Sequence, residues 1–242
     1  MVWNNEVCAV NSANQRLCVW AGVLAVALFF LAFWPLLHMI PPWSPLETAS
    51  AIGERYQKNT TSIRTGSVLL LLAAALLAPF FAVIATQMMR IEGRFAALSF
   101  TQILAGAGVY IFIATPALIF SVAAFRPDRS SELTLMLNDL AWIIFVMAYS
   151  PAVVQNLAIG FAILSDVNPE PVFPRWVGYF NLWVGILFAP GGMITFFKMG
   201  PFAWNGVIAF WIPACVFSIW FIVMAPALFK AIDQQARACQ FE

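Results

Sequence analysis

Six long apolar runs, separated by short polar stretches, leave this chain few ways to fold. They cover Leu17–Ile40, Ile63–Met89, Ala97–Phe125, Leu137–Leu164, Trp176–Phe197 and Trp204–Phe229. Each is long enough to cross a hydrocarbon slab of about 30 Å as a helix rising about 1.5 Å per residue. The runs are continuous rather than alternating, which argues against the strands of a membrane barrel. Of 242 residues, 62% are hydrophobic and 10% are charged, whereas a soluble domain carries about 25% charged residues. So much apolar surface has no place inside a water-soluble globule. The expected fold is therefore all-α: a polytopic integral membrane protein, one helical domain over residues 1–242, with six transmembrane helices.

The longest connection, Pro41–Ser62, holds a short amphipathic helix over Pro45–Lys58. Ser44-Pro-Leu-Glu47 resembles a capping box, and Leu46, Ala49, Ile52 and Tyr56 share one helical face. Such a helix lies in the interface or caps the bundle. The N-terminal run is too long for the core of a signal peptide and lacks small residues for cleavage, so it reads as a retained first span.

Charge narrows the partners. A net charge of +1 without basic clusters excludes a nucleic-acid footprint. Arg16, Arg90, Arg94, Arg175, Lys230 and Arg237 fall on the side of the termini; Arg55, Lys58, Arg64, Arg126, Arg129 and Lys198 fall on the other. The positive-inside rule is tied. The compact Arg90–Arg94 turn favours cytoplasmic termini, with the plasma (inner) membrane as the expected location. Expected partners are membrane lipids, a hydrophobic small molecule, and a membrane-protein partner or second copy of the chain.

Cys8, Cys18, Cys215 and Cys239, with the single His38, show no zinc spacing, and no metal or cofactor is expected. Cys215, inside an apolar run, reads as a small packing residue. Cys8, Cys18 and Cys239 stand near membrane edges, where palmitoylation occurs. One histidine excludes bis-histidine haem and HExxH hydrolysis, and neither GxSxG nor Walker A is present. Prolines recur about once per span at Pro79, Pro116, Pro151, Pro190 and Pro226, as kinks or as the trace of a duplicated unit. Trp43, Trp176 and Trp204 suit interfacial belts.

Two polar groupings remain. Counting residues along each run places Gln87, Gln102, Gln155, Asn156 and Asn181 in one layer near the terminal side. Amides both donate and accept, so this layer suits a neutral ligand or interhelical hydrogen bonding. In the fourth run Asp139, Trp142, Val146, Tyr149, Val153 and Asn156 form one stripe facing the bundle interior. Asp139 sits just past the start of that run and reads as a helix cap, a latch to Arg64, or an acid beside His38. The catalytic candidates are Asp139, His38 and Tyr149; the ligand candidates are Gln87, Gln102, Tyr149, Gln155, Asn156 and Asn181. With so few ionisable groups in the spans, the sequence favours a bundle that binds or passes a hydrophobic or neutral molecule or lipid. The alternatives are an assembly subunit of a membrane complex and a membrane-embedded enzyme acting on a lipid-like substrate through Asp139.

Overall fold

The computed structural model describes the backbone of residues 5–238 and the side chains of residues 11–238. Cys8 and Cys239 lie outside the residues whose side chains are described. The molecule is 81% helical, and six helical units are long and apolar enough to cross a membrane. These are Asn11–Leu36, Thr60–Phe95, Ala97–Phe125, Ser131–Leu164, Arg175–Thr195 and Val207–Ala238.

Only the third unit is one uninterrupted α-helix with the predicted ends. The helices are α1 (Asn5–Leu31), α2 (Ala49–Lys58), α3 (Thr60–Ala75), α4 (Leu77–Glu92), α5 (Ala97–Phe125), α6 (Ser131–Val146), α7 (Tyr149–Leu164), α8 (Arg175–Phe188) and α9 (Ile212–Ala238). Proline explains most interruptions, because it lacks an N–H and its ring crowds the carbonyl four residues back. Pro79 follows the α3–α4 break at Leu76, and Pro151 follows the α6–α7 break at Met147–Ala148. Pro35 sits in a π-helical turn, Ala32–Leu36, that ends the first unit; Pro190 opens a 3₁₀ stretch, Ala189–Thr195. A second π turn, Val207–Trp211, precedes Pro213 in the first turn of α9. Pro116 and Pro226 stay inside continuous helices.

The first unit stops at Leu36, short of the predicted Ile40, and His38 has a positive φ of 56°. The fourth begins at Ser131 rather than Leu137, because helical backbone continues through the polar Ser131–Leu133 segment that hydropathy excludes. This overturns the cap reading of Asp139. Its N-cap position is Ser130, and Asn138 and Asp139 lie two turns inside the helix.

Packing orders the units around α5, which contacts α3, α4, α6 and α7, while α1 lies against α3, α4 and α9. Small residues allow the closest approaches. A methyl group on Gly22 would meet the Phe80 ring at 2.2 Å, and one on Gly160 would meet Leu182 at 2.6 Å. On the terminal side Gly93 (φ 69°) lets the chain turn so that the Glu92 carboxylate reaches the start of α5. It accepts from the backbone N–H of Leu98 at 2.8 Å and of Ser99 at 2.7 Å, satisfying donors that a helix start leaves free. The buried Asp166 carboxylate likewise orders the proline-rich loop, accepting from the backbone N–H of Asn168 at 2.9 Å and of Val172 at 2.8 Å.

The opposite side is capped by the first loop. α2 is capped by Thr48, whose hydroxyl accepts from the Ala51 N–H at 3.3 Å, so the predicted Ser44–Glu47 capping box is not formed. Glu47 is drawn instead to Arg55, at 2.7 Å. Ile52 and Tyr56 are buried against α6, while Leu46 is exposed. The Trp43 indole N–H donates to the His38 carbonyl at 2.8 Å, and that of Trp204 donates to the Trp43 carbonyl at 2.8 Å. Both rings are buried, so they clamp two loops together rather than joining an interfacial belt; Trp176 is exposed, as a belt residue would be. Cys215, expected as a small packing residue, is instead exposed on α9.

Candidate functional site

Four of the five helix interruptions converge. The π turn Ala32–Leu36, the α6–α7 break, the 3₁₀ stretch Ala189–Thr195 and the π turn Val207–Trp211 surround one cavity of about 120 Å³. Phe33, Ala148, Gly191 and Phe210 represent them in its wall, joined by Phe29 of α1, Val109 of α5, Ala152 of α7 and Phe217 of α9. Irregular backbone at membrane depth is tolerated where it is buried in protein or lines a cavity, and π turns are frequent at functional sites. A cavity of about 150 Å³ lined by Leu, Ile and Phe stays dry and binds benzene. This one has the same chemistry and a comparable size.

Its walls are fixed by aromatic packing. Phe29 stacks on Phe33 with ring centres 4.9 Å apart, and Phe33 stacks on Phe145 at 4.9 Å. Tyr149, a predicted candidate for both catalysis and binding, lines the cavity. Its ring lies against Gly191 and Gly192, where a methyl group would stand 2.9 Å from its Cβ and 2.8 Å from its hydroxyl, respectively. The Pro190-Gly-Gly192 sequence thus lets the fifth unit close on the α6–α7 break.

The predicted amide layer divides into three groups. Gln87 belongs to a cluster of α1, α4 and α9: its Nε2 donates to Gln235 Oε1 at 2.8 Å, and its Oε1 accepts from Arg90 at 2.6 Å. Arg90 also donates to the Ala231 carbonyl at 3.0 Å, Gln15 donates to Gln235 at 3.2 Å, and Arg16 pairs with Asp233. Asn181 accepts from the Trp220 indole N–H at 2.9 Å and donates to the Val177 carbonyl at 2.8 Å, joining α8 to α9. Gln155 of α7 faces Gly106 of α5, Gln102 lies one turn before Gly106, Asn156 follows Gln155, and four polar atoms of these three amides have no partner.

The other catalytic candidates are separated. His38 is exposed with its Nε2 3.4 Å from the Ser62 hydroxyl, and the Arg64 guanidinium lies over the Phe125 ring at 5.4 Å. Asp139 instead follows Asn138, whose Oδ1 accepts from the Tyr56 hydroxyl at 3.2 Å. Burial, and then the nearby Asp139 charge, push the Tyr56 phenol well above its ordinary range. The phenol is neutral in folded and unfolded chains below pH about 10. Above that the unfolded chain ionises first, so stability is lost as pH rises. Tyr56→Phe should cost about 1–2 kcal/mol at neutral pH by stranding Asn138 Oδ1, and should reduce the alkaline loss; unfolding in mixed micelles at pH 7 and pH 10.5 checks both.

Sequence reasoning missed Gln15, Arg90 and Gln235 because they come from three distant segments. The position of the cavity was not legible because phenylalanine carries no positional signal, although Pro35 lies in one of its four framing segments and Pro213 just follows another. No protein family, curated protein or solved structure matches the chain, so the site is argued from its own residues.

Proposed function

We propose that this chain is an integral membrane protein whose six-helix bundle binds or passes a hydrophobic or neutral small molecule, or part of a lipid, through the apolar cavity. The observation that carries this reading is the convergence of four helix interruptions on one cavity. Helix interruptions are frequent at functional sites and are tolerated at membrane depth where they line a cavity, so their meeting here supports a site. His38 meets Ser62 and Arg64 lies over Phe125 rather than pairing with Asp139, which supports a binding protein rather than an enzyme. The compact turn at Arg90–Arg94 supports cytoplasmic termini in a plasma membrane.

The test uses a fluorinated phenylpropane and the full chain in lipid nanodiscs, followed by fluorine NMR and corrected for partition into empty discs. Saturable binding is expected in the wild type. Ala214→Trp, which adds an indole to a cavity-wall residue that is partly exposed, should weaken it at least about tenfold. Equal binding by the two proteins would refute the cavity as the site.

A further inference from the structure

We propose that Gln102, Gln155 and Asn156 form the polar end of this cavity and select an uncharged head group that both donates and accepts hydrogen bonds, such as an alcohol. The inference rests on the cavity being a binding site. The three amides are 0%, 3% and 4% exposed. Gln102 Nε2 and Oε1, Gln155 Nε2 and Asn156 Oδ1 have no partner. Elsewhere in the bundle the buried amides of Gln15, Gln87, Asn138 and Asn181 all find one. A buried polar group left unpaired is costly, so four unmet atoms in one seam point to something that binds there.

Position ties the seam to the cavity. Asn156 Nδ2 donates to the carbonyl of Ala152, a cavity-wall residue, at 2.8 Å. Across the seam, a methyl group on Gly106 would stand 2.9 Å from Gln155 Nε2. Gly106 lies about one turn before Val109, which also lines the wall. On α7 Gln155 and Asn156 therefore lie about one turn, 5.4 Å, beyond the apolar wall, and on α5 Gln102 lies about two turns beyond it.

The unmet set contains two donors and two acceptors. A carbonyl would satisfy only the donors, whereas a hydroxyl serves both. No charged side chain lines the cavity, and Arg90 is committed to Gln87 and to the Ala231 carbonyl. A carboxylate or phosphate would be buried without a counter-charge.

The same nanodisc measurement, extended to matched probes, tests this. A fluorinated phenylpropanol places its hydroxyl about one helical turn beyond the ring; the phenylpropane lacks the hydroxyl and the phenylpropanoate carries a charge. The alcohol should bind the wild type about tenfold more tightly than the alkane, or about 1.4 kcal/mol. The carboxylate should bind less tightly than either. In Gln155→Leu the alcohol's advantage should vanish while the alkane's affinity is unchanged. Gln102→Leu, which removes no hydrogen bond present in the structure, repeats the test if the first variant does not fold. An alcohol that binds the wild type no better than the alkane, or keeps its advantage in the variants, overturns the proposal; the amides would then hold water alone. Failure of the alkane itself to bind the wild type overturns the cavity reading first.

Discussion

Gly206→Ala should destabilise the bundle by about 1–3 kcal/mol, with the loss concentrated at the cavity. A methyl group at this position would stand 2.4 Å from the Pro201 carbonyl oxygen and 2.5 Å from that of Gly200. Both are backbone atoms, so neither can rotate aside. The Pro201 carbonyl also accepts from the N–H groups of Ile208 at 2.9 Å and Ala209 at 3.2 Å. Relieving the clash therefore moves the π turn that carries Ala209 and Phe210 into the cavity wall. Unfolding in mixed micelles gives the stability change, and phenylpropane affinity should fall with it. Gly185→Ala is the control of opposite sign. Its methyl group would meet neighbours at 3.6–3.7 Å, ordinary contact, so the gain in helix propensity of about 0.5–1 kcal/mol should prevail.

Trp142→Ala should cost about 3 kcal/mol, the largest loss expected from any single truncation. The ring is fully buried and touches aromatic groups from five segments. Phe33, Phe120, Phe145 and Phe210 lie edge-on with centres 6.1, 6.2, 6.1 and 5.9 Å away, and Trp204 stacks on it at 6.3 Å. In a bilayer the lost term is dispersion rather than water exclusion, which places the cost at the low end of the aromatic range. Trp142→Phe should cost much less, because the Trp142 indole N–H has no partner and its removal relieves a buried unmet donor. If Phe is as damaging as Ala, the indole N–H is paired in the membrane, with water or with ligand.

The number of apolar helical units and the bounds of the third were legible because hydropathy reports continuous apolar length. The breaks were only half legible. Pro79, Pro151 and Pro190 marked three of the five, but Pro116 and Pro226 look the same in sequence and interrupt nothing. The difference lies in what surrounds them, which periodicity does not encode. The amides were expected in one layer from residue count, but their partners were not legible: Gln87 finds Gln235, on α9, only through tertiary packing. Asp139 was misplaced as a cap because a polar helix start lowers hydropathy without ending the helix. Trp43 and Trp204 were read as belt residues because a tryptophan near a span end looks the same whether its N–H meets lipid or a loop carbonyl.

Photolabelling with a diazirine-bearing phenylpropane in bilayers, followed by peptide mapping, asks most directly whether the cavity binds apolar ligands. Labels should gather on Phe29, Tyr149 and Phe217, compete away with unlabelled phenylpropane, and disappear in Ala214→Trp. Labelling that does not saturate and spreads over the outward-facing Trp20, Trp34 and Trp183 would contradict it.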